Sequence, residues 1–336
     1  MSTRILEPGE IGQVDPFPHI VLPVDSGLFD NRARRFLQLA QNHAMGPFLA
    51  LMAQLAQAQH AALHARSAEP VAPALLAQSR LHGMPPMSYQ GVTRSGEWQA
   101  DLDAIAHYLI AQNVTSFATA AASLIAMDRN AREALADAVL EGGVSGDDPV
   151  QHALLAPLIG AALQVWWTRQ AATLSEADIG HVGSSTVCPV CAARPVASVV
   201  EIGASQSNLR YLNCSLCSTQ WHMVRVTCSS CESTQGIAYY SLTSTAEKAT
   251  PSRKIAFARA ETCDTCHSYL KIFTREKEPL MDATADDLAT LALDMLVDEA
   301  GYLRSGPNLL FSPGVVPAGE VENSGVTPPS ESHIGT

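Results

Sequence analysis

All eight cysteines of this 336-residue chain fall between positions 188 and 266, and each belongs to a C-x-x-C pair. The pairs are Cys188-Pro-Val-Cys191, Cys214-Ser-Leu-Cys217, Cys228-Ser-Ser-Cys231 and Cys263-Asp-Thr-Cys266. Two residues between cysteines allow a tight turn that aims both sulfurs at one ion. Two such turns complete a tetrahedral four-thiolate site of the kind that suits zinc or iron. A single C-x-x-C is equally a redox dithiol, but four of them with no cysteine left over read as two metal sites. Thiol–disulfide exchange would need a metal-free dithiol in a thioredoxin-like βαβ context, which the pattern lacks.

The intervals suggest how the pairs combine. Twenty-two residues separate Cys191 from Cys214 and 31 separate Cys231 from Cys263, each enough for a hairpin, whereas only ten lie between Cys217 and Cys228. First-with-second and third-with-fourth grouping is favoured, and interleaved grouping stays open. Zinc and iron also stay open. Rubredoxin-type iron knuckles usually carry Gly after the second cysteine, where the chain turns left-handed. Here those positions hold Ala192, Ser218, Glu232 and His267, which tilts the bare sequence toward zinc. His222 and His267 neighbour the sites and read as outer residues rather than ligands.

Elsewhere the chemistry is sparse. His60 and His64 share a helix face without an acidic residue in a catalytic motif, and they read as structural. Trp166-Trp167 reads as one core ring and one interface ring. Nothing forms a nucleophile–base pair, a phosphate-cradling loop or an open metal site with a general base, so the expectation is a protein that is not an enzyme.

Composition bounds the setting. Hydrophobic residues make up 47% and aromatics 6%, and the net charge is −12, which argues against a nucleic-acid binder. Residues 181–280 carry ten Lys/Arg against seven Asp/Glu, whereas residues 281–336 carry one Arg against nine acidic residues. The N-terminus has no apolar signal-like region and no run approaches a membrane span, so a cytoplasmic protein without membrane insertion is expected. A reducing compartment suits thiolate ligands and disfavours a secreted disulfide scaffold.

The elements that must position the cysteines follow from periodicity. The fold class expected is α+β: an all-helical N-terminal domain, two tandem rubredoxin-like or zinc-ribbon four-cysteine modules, and a C-terminal helix. The division is 1–24 irregular arm, 25–180 helical domain, 181–226 first module, 227–283 second module, 284–312 helix and closing segment, and 313–336 disordered tail. Helices are expected over 25–42 (capped by Asp25 or Ser26), 48–66, 97–112, 116–127, 130–140 and 148–174, with a short one near Leu75. Strands are expected at 195–202, 209–212, 221–226, 236–242 and 269–273. A last helix starts at Thr284, with Asp287 in a capping-box position, and ends at Gly301; its apolar face is Leu288, Leu291, Met295 and Leu296.

Several stretches resemble one family. Cys188-Pro-Val-Cys191 with Arg194-Pro195-Val-Ala-Ser198, and Leu209-Arg-Tyr-Leu-Asn-Cys-Ser-Leu-Cys217 running into Gln220-Trp-His-Met-Val-Arg-Val226, are similar to the FdhE family of formate dehydrogenase accessory proteins. So are Glu261-Thr-Cys-Asp-Thr-Cys266, Asp286-Asp-Leu-Ala-Thr-Leu-Ala-Leu-Asp294 and Gly301-Tyr-Leu-Arg-Ser-Gly-Pro-Asn308. Ala192, where that family commonly has Gly, and the tail after Pro313 depart from it. The resemblance implies a cytoplasmic maturation or proofreading factor that binds the catalytic subunit of respiratory formate dehydrogenase before export. It also implies two metal ions in the four-cysteine sites, favours iron over zinc, and leaves a one-electron redox role as the alternative. Tyr211, Trp221, His222 and Arg225 are candidates for the partner surface, because aromatic and Arg residues anchor interfaces.

Overall fold

The computed structural model describes residues 17–24, 27–142, 149–180, 185–201, 209–242 and 256–311. The last residue of the strand expected at 195–202, the first of the helix expected at 148–174, the start of the module expected from 181 and the tail from 313 lie outside them. So do residues 1–16 of the N-terminal arm.

Helical periodicity in the first half becomes α1 (Leu28–Ala40), α2 (Gly46–His64), α3 (Pro73–His82), α4 (Glu97–Ala111), α5 (Thr115–Ala126), α6 (Arg129–Glu141) and α7 (Pro149–Ala171). Helix α1 is preceded by Gly27 at its cap position rather than by Asp25 or Ser26. Gly46-Pro47, just ahead of the helix expected from 48, forms the first turn of α2, where proline's missing N–H costs nothing. Asp128 caps α6 by accepting hydrogen bonds from the N–H groups of Asn130 and Ala131. Helix α7 is apolar on every side between Leu155 and Ala171 apart from a few buried polar groups, as befits a helix enclosed by its neighbours. It packs against α2, α4, α5 and α6. Trp166 and Trp167 are both in the core, edge to face at 4.6 Å, which corrects the expectation of one interface ring.

The second half, joined by β1 (Ile20–Val21) of the N-terminal arm, forms one eight-stranded sheet with β2 (Pro195–Val200), β3 (Arg210–Cys214), β4 (Gln220–His222), β5 (Ile237–Tyr240), β6 (Ala258–Cys263), β7 (Ser268–Thr274) and β8 (Leu303–Arg304). Its order is β1-β4-β3-β2-β7-β6-β5, with β8 also on β7. Strands β2–β3–β4 and β5–β6–β7 are two antiparallel meanders, and the parallel β2–β7 pairing (Ser198 opposite Ile272) fuses them. Two departures from the sequence reading stand out. The strand expected at 221–226 ends at His222, and the chain turns at Arg225–Val226, with Val226 at φ 58°. Strand β6 went unread, since Ala258-Arg-Ala-Glu-Thr-Cys263 lacks the apolar alternation that marks a strand.

The last helix is also two. Helix α8 (Ala283–Leu288) is capped by Asp282, not Thr284, and α9 (Leu291–Glu299) follows a break at Ala289–Thr290. Asp287 serves no capping box and is fully buried, while Met295 and Leu296 face outward and Leu293 and Val297 inward. Among the described residues, no helix is long and apolar enough to cross a membrane.

Candidate metal centres

Each C-x-x-C forms a closed knuckle. The residue after the second cysteine takes a left-handed conformation in all four: Ala192 (φ 62°), Ser218 (60°), Glu232 (61°) and His267 (51°). That turn sends the N–H groups of Ala192, Glu232 and His267 back to the carbonyls of Cys188, Cys228 and Cys263, at 2.9, 3.0 and 2.8 Å. The amides inside the turn then face sulfur. Val190 N–H donates to Cys188 Sγ (3.4 Å), those of Leu216 and Cys217 to Cys214 Sγ (3.3 Å each), and Ser230 N–H to Cys228 Sγ (3.4 Å). Such bonds favour the thiolate over the thiol. The knuckles adopt the rubredoxin-type turn without glycine, so the missing glycines do not separate zinc from iron.

The knuckles meet in sequential pairs. The sulfurs of Cys188, Cys191, Cys214 and Cys217 lie within 4.8 Å of one another, as do those of Cys228, Cys231, Cys263 and Cys266. Across the knuckles, Cys188–Cys217 and Cys191–Cys214 are 3.5 and 3.3 Å apart, and Cys228–Cys266 and Cys231–Cys263 are 3.6 and 3.7 Å apart. A metal–sulfur bond of about 2.3 Å implies a tetrahedron edge of about 3.8 Å. The second group approaches that edge and the first sits slightly inside it. Four soft sulfurs with no competing carboxylate fit a thiophilic ion, so each group can hold one. The two meanders repeat the arrangement: Thr219 Oγ1 lies 3.2 Å from Cys217 Sγ, and Ser268 Oγ occupies the same relative position 2.9 Å from Cys266 Sγ.

Surroundings separate the groups. The first is built into the main core with Leu216, Trp221 and residues of α7. Met87 N–H donates to Val190 O (2.9 Å), Tyr89 N–H to Cys191 O (3.0 Å) and Gln164 Nε2 to Ser215 O (2.8 Å), docking both knuckles on the helical half. Burial pushes the Cys188 and Cys191 thiols well up, so an ion arriving there must displace protons. In the second group Cys231 is exposed and Cys266 half-buried. Burial there raises the Cys228 thiol to about 12. For Cys266 burial also acts upward, but hydrogen bonds from Ser268 and Cys231 prevail and bring it to about 7.

The four partner-surface candidates do not share one environment. Tyr211 is buried, and its hydroxyl donates to Pro18 O at 2.7 Å. Trp221 is buried and donates to Ser185 O at 2.8 Å. His222 is half-buried beside Phe17, His19 and Tyr211, where burial and then the neighbouring His19 lower its pKa. Arg225 is exposed between exposed Val224 and Val226. His60 and His64 lie together on α2, with His64 Nδ1 2.9 Å from His60 O.

Two ionic networks behind the sheet escaped the sequence reading. Arg210, fully buried, donates to Ser198 Oγ (2.7 Å), Thr227 O (2.9 Å) and Glu261 (2.7 Å), and Tyr239 donates to the same carboxylate (2.9 Å), so the two meanders share one ion pair. Near α8 and α9, buried Lys271 pairs with Asp287 (3.2 Å) and Asp294, and Arg304 pairs with the same two carboxylates at 2.7 and 3.1 Å. The available signal was a charged residue inside an otherwise enclosed strand, but burial of that kind shows only once the strands are paired.

Comparison with known proteins covers nearly the whole described chain. Family profiles described as FdhE, N-terminal, FdhE, central domain and FdhE, C-terminal domain match residues 17–184, 187–225 and 226–311. A Protein FdhE homolog from Pseudomonas aeruginosa is 42% identical over 315 residues, spanning 94% of this chain and 99% of that protein. Protein FdhE of Salmonella typhimurium is 33% identical over 320 residues, with 94% and 99% covered. The crystal structure of the FdhE protein from Pseudomonas aeruginosa superposes with a TM-score of 0.78 at 42% identity, covering 88% of this chain and all of that one.

Proposed function

The chain belongs to the FdhE family, and on that footing we propose that it is a formation protein for respiratory formate dehydrogenase. It acts in the cytoplasm as a maturation or proofreading factor, is not itself an enzyme, and binds the catalytic subunit through a scaffold stiffened by two metal ions. Cys188, Cys191, Cys214 and Cys217 hold one ion, and Cys228, Cys231, Cys263 and Cys266 hold the other. The observation that carries this reading is the repeated four-sulfur group, two knuckles each, within a chain related to FdhE over nearly its whole described length. A metal in each group supplies cross-links that hold the ends of short strands, which a sheet of this size on a small core otherwise holds poorly. The chain's own contribution is positional: the knuckle amides hold the thiolates, and the sheet presents the exposed Val224–Val226 turn with Arg225 and His222 to the client.

The left-handed knuckles with N–H groups on sulfur support a second reading, in which iron in one or both sites passes one electron during maturation. Metal content and the optical spectrum of anaerobically purified protein separate the two. About two ions per chain with a ferric–thiolate band that bleaches on reduction keeps the redox reading, and zinc without a visible band removes it. The main reading is tested by deleting the gene in its host and assaying membrane formate dehydrogenase. Loss of activity, restored by the wild-type chain, is expected; full activity in the deletion strain overturns the assignment.

A further inference from the structure

We propose that the two centres differ in kind: the first is a locked structural site, and the second is an exchange site where a soft divalent metal ion enters and leaves past Cys231. The inference rests on the reading that both sulfur groups hold metal.

Knuckle tips make the difference. In the first group the residues between the cysteines are Pro189-Val190 and Ser215-Leu216, and Val190 and Leu216 are fully buried against the helical half. The equivalent residues of the second group are Ser229-Ser230 and Asp264-Thr265, of which Asp264 and Thr265 are exposed. The next positions repeat the contrast, with Ala192 and Ser218 half-buried but Glu232 and His267 exposed. All four cysteines of the first group are at most 4% exposed, whereas Cys231 is exposed and Cys266 half-exposed. The first group is also covered by Met87 and Tyr89, whose N–H groups bond to the Val190 and Cys191 carbonyls of its knuckle. Around the second, the covering contacts are side-chain bonds at the rim: Ser185 to Glu232 (2.9 Å), Ser233 to Thr265 (3.2 Å) and Tyr302 to Asp264 (2.6 Å).

Access decides how fast a thiolate-bound ion is replaced, because an incoming donor must reach the metal while a sulfur leaves. At the second centre an outside ligand can approach over the Cys231–Cys266 edge. As the new donor–metal bond forms, the metal–Cys231 bond breaks, then that to Cys266. The ion would stay divalent throughout, and each freed sulfur would leave as a thiolate that the buffer protonates or not according to pH. At the first centre the same approach would require the helical half to lift away. The polar tips therefore keep one site open at a cost in stability, and the apolar tips close the other.

The test uses the full chain loaded with zinc and verified at two ions per chain, then challenged with excess 4-(2-pyridylazo)resorcinol at neutral pH. Zinc should leave in two equal phases, the faster by at least about tenfold. A parallel N-ethylmaleimide pulse read by peptide mass spectrometry should label Cys231 and Cys266 during the fast phase, with Cys188, Cys191, Cys214 and Cys217 protected. Release in one phase, or labelling of the first group as fast as Cys231, overturns the inequivalence and leaves the metal reading intact. A chain that cannot hold two zinc ions overturns both.

Discussion

At the residue after each knuckle, four non-glycine side chains sit near φ 60°, where an L-residue is strained by about 1 kcal/mol. Ala192→Gly should relieve that strain at the cost of a more flexible unfolded chain. The expected net gain is about 0.5 kcal/mol by chemical denaturation of the metal-loaded protein; a loss of stability would mean that the Ala192 methyl packs. Asp287 poses the opposite problem. Burial pushes its carboxyl up, but Arg304 and Lys271 outweigh burial and hold it below its ordinary 3.8. A carboxyl depressed by folding contributes stability that is complete above 3.8 and lost as pH falls toward the folded value. Unfolding free energy should therefore fall below about pH 4, and Asp287→Asn should remove that part of the slope while lowering stability at neutral pH. Identical acid slopes in both proteins would contradict the assignment. Comparing the two also cancels metal loss, which acid causes in each.

Among the elements, the closing segment after β8 does more than its length suggests. A side-chain carbon on Gly306 would lie 1.9 Å from Pro195 O at the start of β2, and one on Gly160, mid-way along α7, would lie 2.1 Å from Leu309 O. Between these contacts Asn308 donates to Thr284 O (3.1 Å) and Asp287 (2.9 Å), and Leu310 is buried in the main core. The segment thus threads between the helical half and the sheet, touching backbone at both. Gly306→Ala should cost about 1–3 kcal/mol, because the obstacle is backbone that cannot rotate away. Thermal melts of Gly306→Ala beside Gly91→Ala, where an added methyl meets nothing nearer than Ser88 Cβ at 3.9 Å, check this; equal shifts would show that the contact with Pro195 O is relieved without cost.

For the whole molecule, the acidic charge of residues 281–311 proves to be largely internal. Asp282 and Asp286 pair with Arg32 and Arg35 of α1, and Asp287 and Asp294 with Lys271 and Arg304. The C-terminal helices are therefore the ionic seam between the helical half and the sheet. The first four-cysteine group lies on that same boundary and the second lies away from it. Cys188→Ser and Cys263→Ser should each lose one metal ion, but with unequal consequences. Cys188→Ser should lower the melting temperature monitored by helical circular dichroism, whereas Cys263→Ser should largely spare it. Equal helical melts in the two variants would show that the first centre does not brace the helical half.

What the sequence determined by itself was local. Cysteine spacing implied four turns of one kind, and the 22- and 31-residue intervals pointed to sequential grouping, because each knuckle pair closes over its own hairpin. Apolar periodicity located the helices to within a few residues, since burial of one stripe is written in neighbouring positions. Tertiary structure decided what depends on distant partners. Strand β6 is polar in sequence because Glu261 finds Arg210 only after the meanders fuse. Asp282 rather than Thr284 caps the last helical stretch, and Asp287 is instead buried against Lys271 and Arg304, cations that only the fold brings to it. The unequal cover of the two groups is visible in Val190 and Leu216 against Ser230 and Thr265, yet those residues acquire meaning only once the helical half covers one knuckle pair and leaves Cys231 and the Asp264–Thr265 tip of the other exposed.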